Sequence, residues 1–183
     1  MQLADTRAGY GWLSIALHWL VAGLTIYLFV NGEQFADLPR GPQAAALRAL
    51  HTSWGMVATA LILARLAWRW QQGTPAKADQ SALLNLLATA VQWGLIASVV
   101  VACVTGVLNI WSGGQAINIF GAVALASPMA RNGALHGLTE QAHSISSHLI
   151  IPLVLLHVLG ALKHALIDRD NVLWRMLRPT RQA

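Results

Sequence analysis

Apolar residues in this chain run together instead of alternating with polar ones, and polar or Gly/Pro-rich breaks separate the runs. Four stretches reach the roughly 20 residues needed to cross hydrocarbon: about 11–30, 50–70, 83–111 and 143–167. The pattern predicts an all-α membrane protein, a four-helix transmembrane bundle forming a single domain over residues 1–183. The first stretch resembles a secretory leader, but its apolar core is too long and "NGEQFADLP" offers no small-x-small cleavage site, so it is expected to remain as a helix.

The connections differ in length. "NGEQFADLPRGPQ" and "QQGTPAKADQ" are short and turn-rich, and Asp79 or Ser81 is expected to cap the third helix. Residues 112–142 form a longer connection whose "INIFGAVAL" portion is apolar enough to lie against the bundle mouth. Trp12, Trp54, Trp68, Trp70, Trp111 and Trp174 lie near expected span ends, as in an interfacial aromatic belt; Trp19 and Trp93 lie deeper, where they pack or contact a flat ligand.

Composition agrees with a membrane location: 56% of residues are hydrophobic and only 10% charged. A pI near 10.4 raises the question of nucleic acid, yet the positive charges flank apolar spans and form no soluble basic face, so no nucleic-acid partner is expected. They instead set orientation. With both termini cytoplasmic, the inner side holds Arg7, Arg65, Arg69, Lys77, Lys163, Arg169, Arg175, Arg178 and Arg181, against Arg40, Arg48 and Arg131 outside. The lone Cys103 excludes an internal disulfide, a cysteine-ligated iron–sulfur cluster and a c-type haem attachment, so any metal relies on histidine.

Ionisable side chains are costly within a bilayer, and "HSISSHLIIPLVLLHVLGALKH" carries four histidines. A helix advances 100° and 1.5 Å per residue, so His143 and His157 differ by only about 40° in direction but by about 21 Å in depth. His164 lies within about 20° of the direction of His157, whereas His148 faces elsewhere and is expected to bond a neighbouring helix. His18 in "LSIALHWL" matches the inner depth of His157, and His51 in "RALHTSWG" matches the outer depth of His143. Two pairs of neutral imidazoles with no carboxylate nearby are suited to clamping two six-coordinate haem b groups for electron transfer. Gly23, Gly55 and Gly160 follow ligands closely enough to let a ring approach the backbone. Arg65 and Arg69 either snorkel to the inner interface or contact haem propionates. Pro152 is expected to bend the fourth helix between the candidate ligands, and His136, between glycines in the outer loop, has a structural or solvent role.

With "LSIALHWL", "RALHTSWG", "NIFG", the 14-residue His143 to His157 spacing and "HALIDRDNVLWRMLRP", nearly the whole chain resembles the bacterial cytochrome b561 family. The resemblance implies a membrane bundle in the bacterial inner membrane with two haem b groups, exchanging electrons with quinone. It assigns His18 and His157 to the inner haem, His51 and His143 to the outer haem, and His164 to the quinone site. Superoxide is the implied donor and ubiquinone the acceptor, as in a superoxide:ubiquinone oxidoreductase. The family also resembles cytochrome b subunits that receive electrons from periplasmic hydrogenases or dehydrogenases. Where members commonly carry an acid after the first ligand of the fourth helix, this chain has Ser144, which leaves open what orients the outer imidazole. A histidine-lined metal-ion transporter is the remote alternative, since the spans hold no Asp or Glu.

Overall fold

A computed structural model describes residues 2–179; Arg181 lies outside the described residues. Four long helices account for most of it: α1 (Trp12–Ala36), α2 (Pro42–Gln72), α3 (Ala82–Ser112) and α4 (Gly133–Lys163). All four are long and apolar enough to cross a membrane. Large side chains such as Leu20, Ile26, Leu63, Leu86, Leu155 and Leu166 point outward, while Ser53, Ser98, Thr105, Ser112, Thr139 and Ser146 are buried. This inversion of the soluble pattern follows from a lipid solvent, which matches Leu in polarity and leaves close packing of small residues to join helices. Hydroxyls of this set bond carbonyls within their own helices, as in Ser53 to Ala49, Thr105 to Val101 and Thr139 to Leu135.

Helix ends follow local chemistry. Pro42 opens α2 at a position where its missing N–H costs nothing. Of the two expected caps for α3, Ser81 is the one used, its hydroxyl accepting from the Leu84 amide; Asn132 caps α4 by accepting from Leu135 at 3.0 Å. Both α2 and α4 begin about ten residues before the spans expected from hydropathy, because their first turns, "PQAAALRA" and "GALHGLTEQA", are helix-forming without being apolar. His136 therefore lies in α4 and not in a loop. α4 continues through Pro152.

The chain forms two closely packed hairpins, α1 with α2 and α3 with α4, which meet more sparsely where α2 passes α3. One end of the bundle carries both terminal segments and the α2–α3 turn. Asp5 accepts from the Gly11 amide and the Ser14 hydroxyl, both at 2.7 Å, and Trp68 donates to Ser14 at 3.0 Å. Arg175 donates to the Ala76 carbonyl, and the Trp19 indole to the Met176 carbonyl.

The opposite end is covered by an antiparallel hairpin, β1 (Ile117–Ile119) and β2 (Val123–Leu125), with Ile119 paired to Val123. Ile117 of β1 is fully buried, so the "INIFGAVAL" segment lies against the bundle through β1, while Phe120 and Val123 are exposed. "NIFG" is the turn: Phe120 and Gly121 have φ of 49° and 71°, conformations natural to glycine and strained for phenylalanine. Ser53 holds Phe120 there by accepting its amide at 2.9 Å, and Trp54 packs edge-on against its ring.

Candidate functional site

The seam between the two helical hairpins holds the histidines. His18 of α1 faces His157 of α4 with ring centres 6.1 Å apart, and His51 of α2 faces His143 of α4 at the same separation. The first pair lies toward the end carrying the termini and the second toward the β hairpin, separated by about 21 Å of rise along α4. Depth and direction, read from a helix of 3.6 residues per turn, thus bring together the four side chains that sequence spacing selects.

Each ring has neighbours that position it. Nδ1 of His143 lies 2.9 Å from the Ala102 carbonyl, with the Thr105 hydroxyl at 3.4 Å. The carbonyl accepts, so Nδ1 carries the hydrogen and Nε2 is left as the donor to a metal. Phe35 stands edge-on to His51, and the Arg48 guanidinium lies over the Phe35 ring, 4.8 Å from its centre. Nδ1 of His51 is buried without a hydrogen-bond partner among the described residues. Trp19 stands edge-on to His18.

The glycines divide into two groups. A Cβ on Gly23, Gly55 or Gly160 would meet nothing within 4 Å, so free space lies beside the ligand faces of α1, α2 and α4. Gly32 and Gly106 are the ones in contact with imidazoles: a Cβ on Gly32 would approach His51 to 3.4 Å and one on Gly106 would approach His143 to 3.2 Å. Trp19, Gly23, Tyr27 and Trp54 also line a groove of about 550 Å³ between α1 and α2, reaching from the His18 layer toward the His51 layer.

A family profile described as prokaryotic cytochrome b561 matches residues 9–179. The chain belongs to the prokaryotic cytochrome b561 family. Cytochrome b561 homolog 2 of Escherichia coli strain K12 is 27% identical, aligned over 97% of this chain and 95% of that protein. Cytochrome b562 of Cereibacter sphaeroides is 28% identical over 93% and 96%, and the probable superoxide oxidase CybB of Yersinia pestis is 25% identical over 92% and 95%. The protein is a multi-pass bacterial membrane cytochrome of electron transfer, and haem b is the cofactor its family implies.

The residues present fit that cofactor of the cytochrome b561 family. Two metal–nitrogen bonds of about 2 Å each, plus the half-widths of two imidazoles, come to roughly 6 Å, close to the ring-centre separation of each pair. The space beside Gly23, Gly55 and Gly160, next to the faces that carry His18, His51 and His157, is what a large flat ligand in the seam requires.

The remaining candidates fall outside the two pairs. Arg65 lies within electrostatic reach of both His18 and His157, whereas the Arg69 guanidinium stands 5.9 Å over the Trp93 ring. His148 points across to α1, meeting Glu33 at 3.6 Å and standing edge-on to Phe29. His136 is hydrogen-bonded to Asn109. His164 is buried at the end of α4 with Asp168 and Asp170 on its Nδ1. Ala102, Gly32 and Gly106 were the positions sequence reading missed. Gly32 carried a signal: it follows His18 by the same 14 residues that separate His143 from His157, which places it on the stripe of α1 level with the second pair.

Proposed function

We propose that this cytochrome holds two haem b groups, one between His51 and His143 and one between His18 and His157, and relays electrons from a periplasmic donor, with superoxide the first choice, to membrane ubiquinone. The observation that carries the reading is the pair of facing imidazoles at equal separation in two layers of one seam. A haem iron bound by two imidazoles changes by one electron and keeps no coordination position open, which suits relay and not oxygen activation.

The protein's own groups have distinct roles in this reading. The Ala102 carbonyl holds the His143 tautomer, and Gly32 and Gly106 give the outer imidazoles room. Arg65 beside the inner pair supplies a cation for a haem propionate, a role Arg69 shares only by leaving Trp93. The excess of Lys and Arg at the end carrying both termini supports placing that end in the cytoplasm, with the β hairpin outside. His164, at the cytoplasmic end of the α4 stripe, is then the quinone contact.

A second reading, an electron-carrying subunit that docks a periplasmic dehydrogenase or hydrogenase, draws support from the outer surface. Arg40, Arg48 and Arg131 are matched there by Glu33, Asp37 and Glu140, Arg48 is occupied by Phe35, and the Arg131 side chain packs against Gly114. Such a surface forms no broad positive funnel for an anion. Mixing the oxidised protein with superoxide and then ubiquinone decides between them. Rapid appearance of the reduced b-type spectrum followed by its loss on adding quinone is expected; no reduction by superoxide, with a redox protein co-purifying, would favour the subunit reading.

A further inference from the structure

Residues 2–11 fold back across the end of the bundle that carries both terminal segments. The Trp12 amide donates to the Gln2 carbonyl at 3.0 Å, and the Ala76 amide to the Arg7 carbonyl at 3.1 Å. The Asp5 amide donates to the Gln72 side chain at 3.1 Å, which ties the segment to the last turn of α2. Gly11 is where the segment crosses itself: a Cβ there would run into the carbonyl oxygens of Leu3 and Ala4.

Asp5 stands at the centre of this fold-back with both carboxylate oxygens committed, Oδ1 to the Gly11 amide and Oδ2 to the Ser14 hydroxyl, each at 2.7 Å. Ser14 precedes His18 by four residues, so it lies about 40° from the direction of that ligand and about 6 Å nearer the end of the bundle. The same hydroxyl accepts from the Trp68 indole, three residues past Arg65 on α2. The network therefore joins the turn of α1 below His18 to the turn of α2 below Arg65.

Arg65 itself is within electrostatic reach of Asp5 and Tyr10 as well as of His18 and His157. Its neighbouring cation, Arg69, is engaged over the Trp93 ring. A half-buried guanidinium is costly without an acid, and Asp5 is the carboxylate among these groups.

We propose that Asp5 is a positioning residue of the inner haem site: it holds Arg65 beside the His18–His157 pair, and acting through that arginine it lowers the inner reduction potential. This rests on the inner-haem reading above. Oxidised iron between two imidazoles carries one more positive charge than reduced iron, so an uncompensated cation nearby favours reduction. A carboxylate held against that cation offsets the bias. The outer pair lies about 21 Å further along α4 and should feel little of it.

The test is a spectroscopic redox titration of the haem-loaded full chain, comparing wild type with Asp5→Asn, Asp5→Glu, Arg65→Gln and the D5N/R65Q double variant. D5N is expected to raise the inner potential and leave the outer one in place, D5E to restore it largely, and D5N to add little once Arg65 is Gln. An unchanged inner potential in D5N would overturn the proposal. So would equal shifts of both potentials, the mark of a general structural role, or a D5N shift undiminished in the R65Q background, which would mean that Asp5 does not act through Arg65. Should D5N lose the inner haem, Ser14→Ala takes its place, since it keeps the carboxylate and frees one of its oxygens: a shift confined to the inner potential is expected, and no shift would overturn the proposal. A wild type with no haem at the inner pair would instead remove the inner-haem reading, and this inference with it.

Discussion

Nδ1 of His143 donates to the Ala102 carbonyl across 2.9 Å, so the backbone of α3 orients the imidazole of α4. Ser144, the residue after His143, therefore leaves no vacancy in the orientation of this ring. A backbone carbonyl is the other usual acceptor for a ligating histidine, and it fixes the tautomer without placing a charge in the membrane.

Gly106 tests that arrangement. A Cβ there would sit 3.2 Å from the His143 ring, tighter than ordinary contact, so Gly106→Val must displace the imidazole. The haem-to-protein ratio is expected to fall by about half with the inner site retained, while Gly106→Ala keeps both sites and shifts only the outer spectrum. Pyridine haemochrome assay and redox titration of each variant provide the check.

Ser53→Ala should loosen the outer hairpin without touching either histidine pair. The Phe120 amide loses its acceptor in a strained turn, a cost of about 1–3 kcal/mol. Hydrogen exchange at residues 117–125 should accelerate while haem content stays at the wild-type level.

Acid should release the C-terminal turn. Desolvation pushes the Asp170 carboxyl upward, but the Val172 amide, the His164 imidazole and Arg175 outweigh it and hold the group below its ordinary value of 3.8. A depressed carboxyl stabilises the folded turn above that value, and the contribution is lost as pH falls through the lowered one. Hydrogen exchange of residues 164–176 is therefore expected to stay slow at neutral pH and rise only below pH 3.8, whereas D170N exchanges quickly throughout.

Much of the site was legible because helical geometry is regular: 14 residues return a side chain to nearly the same face, and the chain uses that spacing three times. His143 and His157 share it in α4, His18 and Gly32 in α1, and His51 and Arg65 in α2, so the α4 stripe supplies a ligand to each pair while those of α1 and α2 supply one pair and reach the other. The bundle itself was legible from the apolar runs. The Ala102 carbonyl was not, because backbone acceptors have no sequence signature. Neither was the aim of Asp168 and Asp170, which depends on a π turn over His164–Asp168 and a left-handed Arg169 that propensities disfavour. The early starts of α2 and α4 escaped because hydropathy marks what lies in lipid, and helices extend beyond it.

Haem stoichiometry of purified His51→Ala and His18→Ala tests most directly whether the two histidine pairs hold two separate haems. Each variant is expected to retain about half the wild-type haem with one b-type component surviving, and the survivor should have a different spectrum and potential in the two variants. Loss of all haem from each, or retention of the full complement by either, would contradict it.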